Sequence, residues 1–189
     1  PDKDLFAKLS EVYGTIRETP TDKAKLIAEW KTKVLTPAEK PDLMLGRALF
    51  AKNCGQCHTL YGVGGKVGPD ITGGNRANLD YQLENILDPS AVIPKDYMPT
   101  LFNMLDGRNI TGIVKEETAK TVTVVTANDK LILNVADIER RTQSAVSMMP
   151  DNLLNTLKDH EVRALVAYLQ HPRQVPMLAT AENAKDLFN

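Results

Sequence analysis

The sequence predicts an α+β protein, a mainly α-helical domain carrying an inserted antiparallel β-meander or small barrel. Three observations predict it. Apolar residues recur at helical spacing in several separate stretches before residue 90 and again near the C-terminus. Between them, over about 95–143, the chain turns rich in Val, Ile, Leu and Thr and is broken by turn pairs. The only two cysteines, Cys54 and Cys57, fall directly after a helical stretch, with His58 next.

Size and charge bound the problem. A chain of 189 residues, 42% apolar and 25% charged, can build one domain with a substantial core and an extension. A net charge of −1 gives no electrostatic reason to expect nucleic acid or an anionic membrane as partner. No apolar run approaches the ~18 residues that a transmembrane helix needs. The numbering opens at Pro1, without a start methionine or signal peptide, so the expectation is a removed targeting segment or a piece of a longer chain.

Residues 1–40 read as an N-terminal helical hairpin extension. Leu5, Phe6, Leu9, Val12 and Tyr13 mark one helix, and Leu26, Ile27, Trp30 and Val34 the other. Thr19-Pro20-Thr21-Asp22 supplies a cap, a proline at the first helical position and an early acid. This extension is expected to pack and to carry no chemistry. The next helix starts at Asp42, a good N-cap, and runs through Leu45, Gly46, Leu49 and Phe50 into the cysteines. A third spans 79–88 with Leu79, Leu83, Ile86 and Leu87 on one side, and Pro89 ends it.

The inserted segment holds "TLFNMLDGRNITGIV" and "KTVTVVTANDKLILNV", with breaks at Asp106-Gly107 and Asn128-Asp129. These are hairpin signals, and four or five antiparallel strands are expected. Asp137 to Arg141 reads as a solvated strand end with local ion pairs of small value. A last helix covers about 158–170, with Leu165, Tyr168 and Leu169 inward, and His171-Pro172 ends it. The domain that carries the cysteines would thus be 41–172, and 173–189 a tail lying on the surface or partly disordered.

Cys54-Gly55-Gln56-Cys57-His58 admits three chemistries. Structural zinc needs a second Cys or His pair, but there is no further cysteine, and His160 and His171 lack finger-like spacing. A dithiol redox pair belongs beside a βαβ pattern, whereas the surroundings here are helical. Covalent haem attachment remains: both thiols add to porphyrin vinyl groups, and the adjacent histidine ligates the iron. One haem c, with its iron, is therefore the expected cofactor. The glycines from Gly62 to Gly68 lack the strand before and Lys-Ser/Thr after that a phosphate loop needs, so they read as a flexible turn clearing the haem.

The sixth iron ligand is open on the residues alone. A methionine would raise the potential, and a second histidine would usually lower it. Of Met44, Met98, Met104, Met148, Met149 and Met177, Met98 and Met104 sit in or beside the strand region, where methionine is usually core filler. Met98-Pro99 still parallels Met149-Pro150, in which a following proline would stiffen the loop. His160 and His171 read as a solvated first-turn residue and a helix-end residue. Tyr61 and Tyr97 are within the set that could reach haem propionates, but each reads first as packing.

The stretches "GRALFAKNCGQCHTLYGVGGKVGPDITGGNR", "ENILDPSAVIPKDY", "DGRNITGIV", "SMMPDNLL" and "HEVRALVAYL" resemble class I cytochromes c. More closely, they resemble the planctomycete-type haem-binding domain often found C-terminal in secreted dehydrogenase-like proteins. The resemblance implies a cytochrome c fold in which Gly46 and Phe50 lie where the first helix of the domain crosses the last, near Tyr168. It implies Pro69 on the histidine side of the haem, its carbonyl accepting from His58, and Met149 as the sixth ligand, with Met148 at a variable position. One departure is Lys158, where the family tends to have Ser or Thr as helix cap; Glu161 still supplies the first-turn acid.

The function so implied is single-electron transfer by Fe(III)/Fe(II) cycling of a His58/Met149-ligated haem, not catalysis, with no catalytic residues. The partner would be a redox protein, a dehydrogenase or terminal oxidoreductase, or the chain would be the haem domain of such an enzyme, in the periplasm or another extracytoplasmic space. The competing reading is a haem sensor or peroxidase-like domain with an open or labile sixth position. The insertion is expected to cover one side of the haem or to serve docking or self-association.

Overall fold

The computed structural model describes residues 3–36 and 39–176. The side chain of Phe6, Met177 and the remainder of the tail to Asn189 lie outside the described residues. In chain order come α1 (Lys3–Tyr13), β1 (Gly14–Ile16), α2 (Thr21–Leu35), α3 (Leu43–Asn53), β2 (Thr59–Leu60), β3 (Val63–Gly64), α4 (Leu79–Leu87) and β4 (Val92–Pro94). Then follow β5 (Thr100–Met104), β6 (Asn109–Glu117), β7 (Thr121–Val125), β8 (Lys130–Asn134), β9 (Ile138–Gln143) and α5 (Asp159–Gln170). The architecture is mixed, helices with antiparallel sheets.

The helical core is organised around the crossing of α3 and α5. Gly46 makes the crossing close: a Cβ there would stand 2.1 Å from the Ala164 carbonyl oxygen and 2.7 Å from Tyr168 Cβ. Around it, Leu49, Phe50, Leu60, Leu83, Leu87, Leu154, Val162, Leu165, Val166 and Tyr168 are buried in one cluster. Phe50 and Tyr61 approach the Tyr168 ring at centroid distances of 5.9 and 6.3 Å, tilted and edge-on. Such geometries suit the ring quadrupoles.

The N-terminal residues are less separate than a hairpin extension would be. Trp30 of α2 is buried in that same cluster, with Leu26, Ile27 and Val34 packed against it, so α2 shares the core of α3–α5. Its N-cap is Pro20, one residue after the Thr19 position read from sequence. The two N-terminal helices do not form a simple hairpin, because Gly14–Ile16 between them pairs antiparallel with Val92–Pro94. Gly14 is required there: its φ is +115°, and a Cβ would lie 2.1 Å from the Ile93 carbonyl oxygen. Of the described apolar side chains of α1, Leu5, Val12 and Tyr13 remain exposed, and Leu9 is half-buried. The C-terminal residues depart from a loose tail too, since Val175 is buried in the helical core and its carbonyl accepts from the Arg47 guanidinium.

The segment between α4 and α5 is one five-stranded antiparallel sheet, ordered β8-β7-β6-β5-β9. Its first four strands follow one another as hairpins, while β9 crosses back to pair with β5. The sheet has two edges, β8 and β9, and so does not close into a barrel. Period-two alternation puts Phe102 and Met104 of β5, Val122 and Val124 of β7 and Leu133 of β8 into a second core. The turn glycine Gly107 takes φ +86°, and Gly112 admits the close approach of β7, where a Cβ would meet Val124 Cγ1 at 2.5 Å. β9 is exposed along most of its length, and Arg141 pairs with Glu117 at 2.7 Å.

Candidate haem site

The site begins with a well-capped helix. The Asp42 carboxylate accepts from the Met44 and Leu45 amides at 2.9 and 3.1 Å, fixing the start of α3. At its other end the chain coils once more: the Cys57 and His58 amides both donate to the Cys54 carbonyl, at 3.1 and 2.9 Å. Two thiols and an imidazole therefore leave a single tight turn, set by the helix that precedes it.

The glycines that follow brace this turn from outside, which replaces the flexible turn read from sequence. Tyr61 and Gly62, at φ +53° and +78°, form the two-residue loop between β2 and β3, a left-handed turn matched to the strand twist. The Gly65 amide donates to the Gly55 carbonyl and the Gly68 amide to the Cys57 carbonyl, each at 2.8 Å. A Cβ on Gly64 or Gly65 would fall 2.2 Å from the His58 carbonyl oxygen or 1.9 Å from that of Gln56. Gly68 faces the imidazole itself, where a Cβ would lie 2.7–3.2 Å from three ring atoms. On the same side His58 Nδ1 stands 3.0 Å from the Pro69 carbonyl oxygen. A carbonyl only accepts, so Nδ1 carries the proton and Nε2 keeps its lone pair.

The thiols are electrostatically quiet. Burial, with a smaller contribution from Cys57, pushes the Cys54 thiol up to about 12, and burial raises Cys57 as well. An exchanging dithiol needs the opposite, a stabilised thiolate. Among the described residues, no group of three or more His, Cys, Asp and Glu side chains is placed to hold a metal ion. The donors present are two thiols, one imidazole nitrogen and thioethers. Together with a glycine cradle shaped to the ring, this set fits a porphyrin-borne iron better than a bare ion.

Five of the methionines fall within the described residues. Met104 is buried in the sheet core. Met44 is exposed on the first turn of α3, and Met98 is half-buried just before β5. Met148 and Met149 are both half-buried, but Met149 packs against the helical core cluster, as Cys54 does. Its amide donates to Ser147 Oγ at 3.1 Å, and the Ser147 amide donates to Ser90 Oγ at 3.0 Å. His160 is exposed, and His171 Nδ1 is engaged with the Arg173 backbone.

Three contacts were not singled out in the sequence. The Gln56 amide, inside the Cys-x-x-Cys spacer, donates to the Ala127 carbonyl at 3.1 Å and to Asn128 Oδ1 at 3.2 Å. The tip of the β7–β8 hairpin thus rests on the attachment turn. Arg76 donates to the Leu169 and His171 carbonyls at 2.5 and 3.0 Å and to the Tyr61 hydroxyl at 2.9 Å, tying the turn after His58 to the end of α5. The Tyr61 hydroxyl itself donates to the His171 carbonyl, while Tyr97 lies under Lys115 Nζ at 5.1 Å. Third, Arg17 grips the buried Asp88 carboxylate through both terminal nitrogens, at 2.9 and 2.5 Å. None of the three left a trace in sequence, because Gln56 and Ala127, Arg76 and Leu169, and Arg17 and Asp88 lie 71, 93 and 71 residues apart.

Residues 43–172 match the family model for cytochrome c. The chain belongs to the cytochrome c family. That assigns it a haem-binding electron-transfer domain spanning α3 to α5, with the five-stranded sheet inside the matched span. No curated protein matches this cytochrome. Among its described residues no helix is long and apolar enough to cross a membrane. The family match starts after α2, so the helix that contributes Trp30 to the core lies outside it.

Proposed function

We propose that this cytochrome is a mono-haem electron carrier, its haem attached through Cys54 and Cys57 and its iron held between His58 and Met149. The observation that carries the reading is the His58–Pro69 contact, which presents Nε2 as a free donor beside two thiols. The family membership supports it, and so does the packing of Cys54 and Met149 against one apolar cluster. The bound haem supplies one-electron Fe(III)/Fe(II) exchange.

The chain's own residues set the conditions for that exchange. The Pro69 carbonyl fixes the ring orientation and tautomer of His58. The Met149 thioether, a soft donor, favours the reduced state. The apolar cluster keeps the site dry, which limits reorganisation when charge changes. With His58 and Met149 both holding the iron, no donor position would be left for a substrate, so the reading is a carrier rather than an enzyme.

The haem-holding residues are taken to lie within 41–172, interrupted at about 95–143, with α2 of the 1–40 extension and Val175 of the 173–189 tail completing the same core from outside those bounds. The planctomycete-type resemblance makes a dehydrogenase the preferred electron donor, in the periplasm or another extracytoplasmic compartment. The Gln56 contact supports a role for the inserted sheet as a cover over the attachment turn. Self-association through that sheet is the remaining part of the proposal.

The deciding experiment is an absorption spectrum of the haem-loaded chain with and without carbon monoxide. The expected result is one haem per chain, low-spin in both oxidation states, and no shift of the reduced spectrum with the gas. A high-spin reduced form that binds carbon monoxide stoichiometrically would instead establish the sensor or peroxidase-like alternative.

The cradle gives a second expectation. Gly68→Ala pushes a methyl group into the His58 ring, where 2.7 Å to Cε1 leaves no room. Histidine ligation should weaken on the order of tenfold, as for loss of an outer-shell partner. Exogenous imidazole, competing with His58 in the haem-loaded chain, should therefore displace the low-spin spectrum at roughly tenfold lower concentration. An unchanged competition would show that the ring does not depend on Gly68.

A further inference from the structure

The residues that hold the methionine loop do not all belong to the matched haem domain. α4 ends at Leu87, and the chain turns through Asp88, Pro89, Ser90 and Ala91, closed by the Ala91 amide donating to the Asp88 carbonyl at 2.9 Å. That turn is clamped from the N-terminal segment. Arg17 holds the Asp88 carboxylate with two hydrogen bonds, and the Arg17 amide donates to the Ala91 carbonyl at 2.8 Å. The β1–β4 pairing, Gly14 with Pro94 through Ile16 with Val92, continues the same attachment.

From the clamped turn the contacts run directly to Met149. Ser90 Oγ accepts from the Ser147 amide, and Ser147 Oγ accepts from the Met149 amide. On the far side of Pro150, Lys23 Nζ pairs with Asp151 at 2.5 Å. The loop is therefore gripped on both sides of the sulfur-bearing residue, at Ser147 by Ser90 and at Asp151 by Lys23. Arg17, Lys23, Ser90, Ser147, Met149 and Pro150 all line one cavity of about 300 Å³ between the N-terminal segment and the loop. Residues 14–23 precede the matched span, so part of this grip comes from outside the residues that match the family.

We infer that the N-terminal segment braces the methionine loop, directly through Lys23 and through the Ser90 turn that Arg17 clamps, with Ser90 and Lys23 acting as positioning residues that keep Met149 seated. The inference rests on the reading of Met149 as sixth ligand. The brace acts by cost: for the loop to swing away, the Ser147–Ser90 bond and the Lys23–Asp151 pair must break together. A neutral hydrogen bond contributes modestly, and an ion pair with Asp151 largely exposed contributes less. The Ser90 contact is thus the larger of the two effects.

The test uses the haem-loaded full chain and exogenous imidazole, which competes with the methionine for ferric iron. Ser90→Ala should raise the apparent imidazole affinity on the order of fivefold, the factor one lost hydrogen bond corresponds to. Lys23→Ala should raise it about twofold, and Ser90→Thr, which keeps the hydroxyl, should restore the parent value. Lys31→Ala, which removes an ion pair with Asp80 on the same extension away from the loop, should leave the affinity unchanged.

If Ser90→Ala lowers thermal stability but leaves imidazole affinity at the parent value, Ser90 is merely structural and the brace is overturned. Met149→Ala separates that failure from failure of the ligand reading. If it leaves the low-spin spectrum intact, Met149 is not the ligand and the inference falls with it. If it converts the spectrum while Ser90→Ala has no effect on affinity, the ligand stands and the brace alone is rejected.

Discussion

On the ligation proposed above, Met149→Ala should convert the haem from a low-spin, methionine-ligated state to a high-spin or water-ligated one. A thioether ligand would be the soft partner that favours Fe(II), so its loss should lower the midpoint potential. Axial ligands span roughly 0.8 V in haem proteins, and a fall on the order of 0.2 V is expected here. Met148→Ala should do neither. The two neighbours differ in packing, since only Met149 lies against the helical core that also carries Cys54.

Met104→Ala completes the comparison: it should cost about 2–5 kcal/mol of stability, as other buried large-to-Ala changes do, and leave the spectrum untouched. Its side chain belongs to the sheet core with Phe102, Val122 and Val124. Visible spectra and potentiometry of the three variants read out all of this. A Met148 variant that loses the low-spin signature while the Met149 variant keeps it would reverse the assignment.

Gly46→Ala should be among the most damaging single-methyl additions in this chain. The new Cβ would stand 2.1 Å from a backbone oxygen of α5, and neither helix can yield locally without parting from the other. Overpacking of this kind costs about 3 kcal/mol. For a domain of this size that corresponds to a loss of roughly 6–12 °C in Tm. Two controls isolate the cause. Gly73→Ala, with nothing within 4 Å, should be near neutral. Gly62→Ala also has open space but sits at φ +78°, so it should cost about 1 kcal/mol from backbone strain alone. If the Gly46 variant melts with the Gly73 variant, the close crossing is not what secures the α3–α5 contact.

Much of this molecule was legible because its signals are local. The Asp42 cap, the helix end before Pro89 and the glycine turn at Asp106-Gly107 each involve residues within a few positions of one another. Sequence reasoning went wrong where distant segments decide. Val12 and Tyr13 carry a helical apolar pattern, yet α1 is held against β1 and leaves them exposed. Period alone cannot say whether a partner face exists. The strand pattern likewise read correctly as hairpins, but the pairing of β9 with β5, and hence the open sheet, depends on a chain reversal across the whole insert. Gly64, Gly65 and Gly68 looked like flexibility and are close contacts with the attachment turn.

What the sequence determined by itself is the chemistry on offer: two thiols and an imidazole on one turn after a capped helix, with thioethers elsewhere. Helical rise and turn geometry alone bring Cys54, Cys57 and His58 together, so no long-range information is needed. The tertiary structure decided which distant groups face that turn. It buries Met104 in a second core and packs Met149 against the first, sets Pro69 against His58, and brings Arg17 to Asp88 and Gln56 to Asn128. Those pairings are set by burial and by the closing of long loops, terms that a residue's neighbours in sequence do not encode.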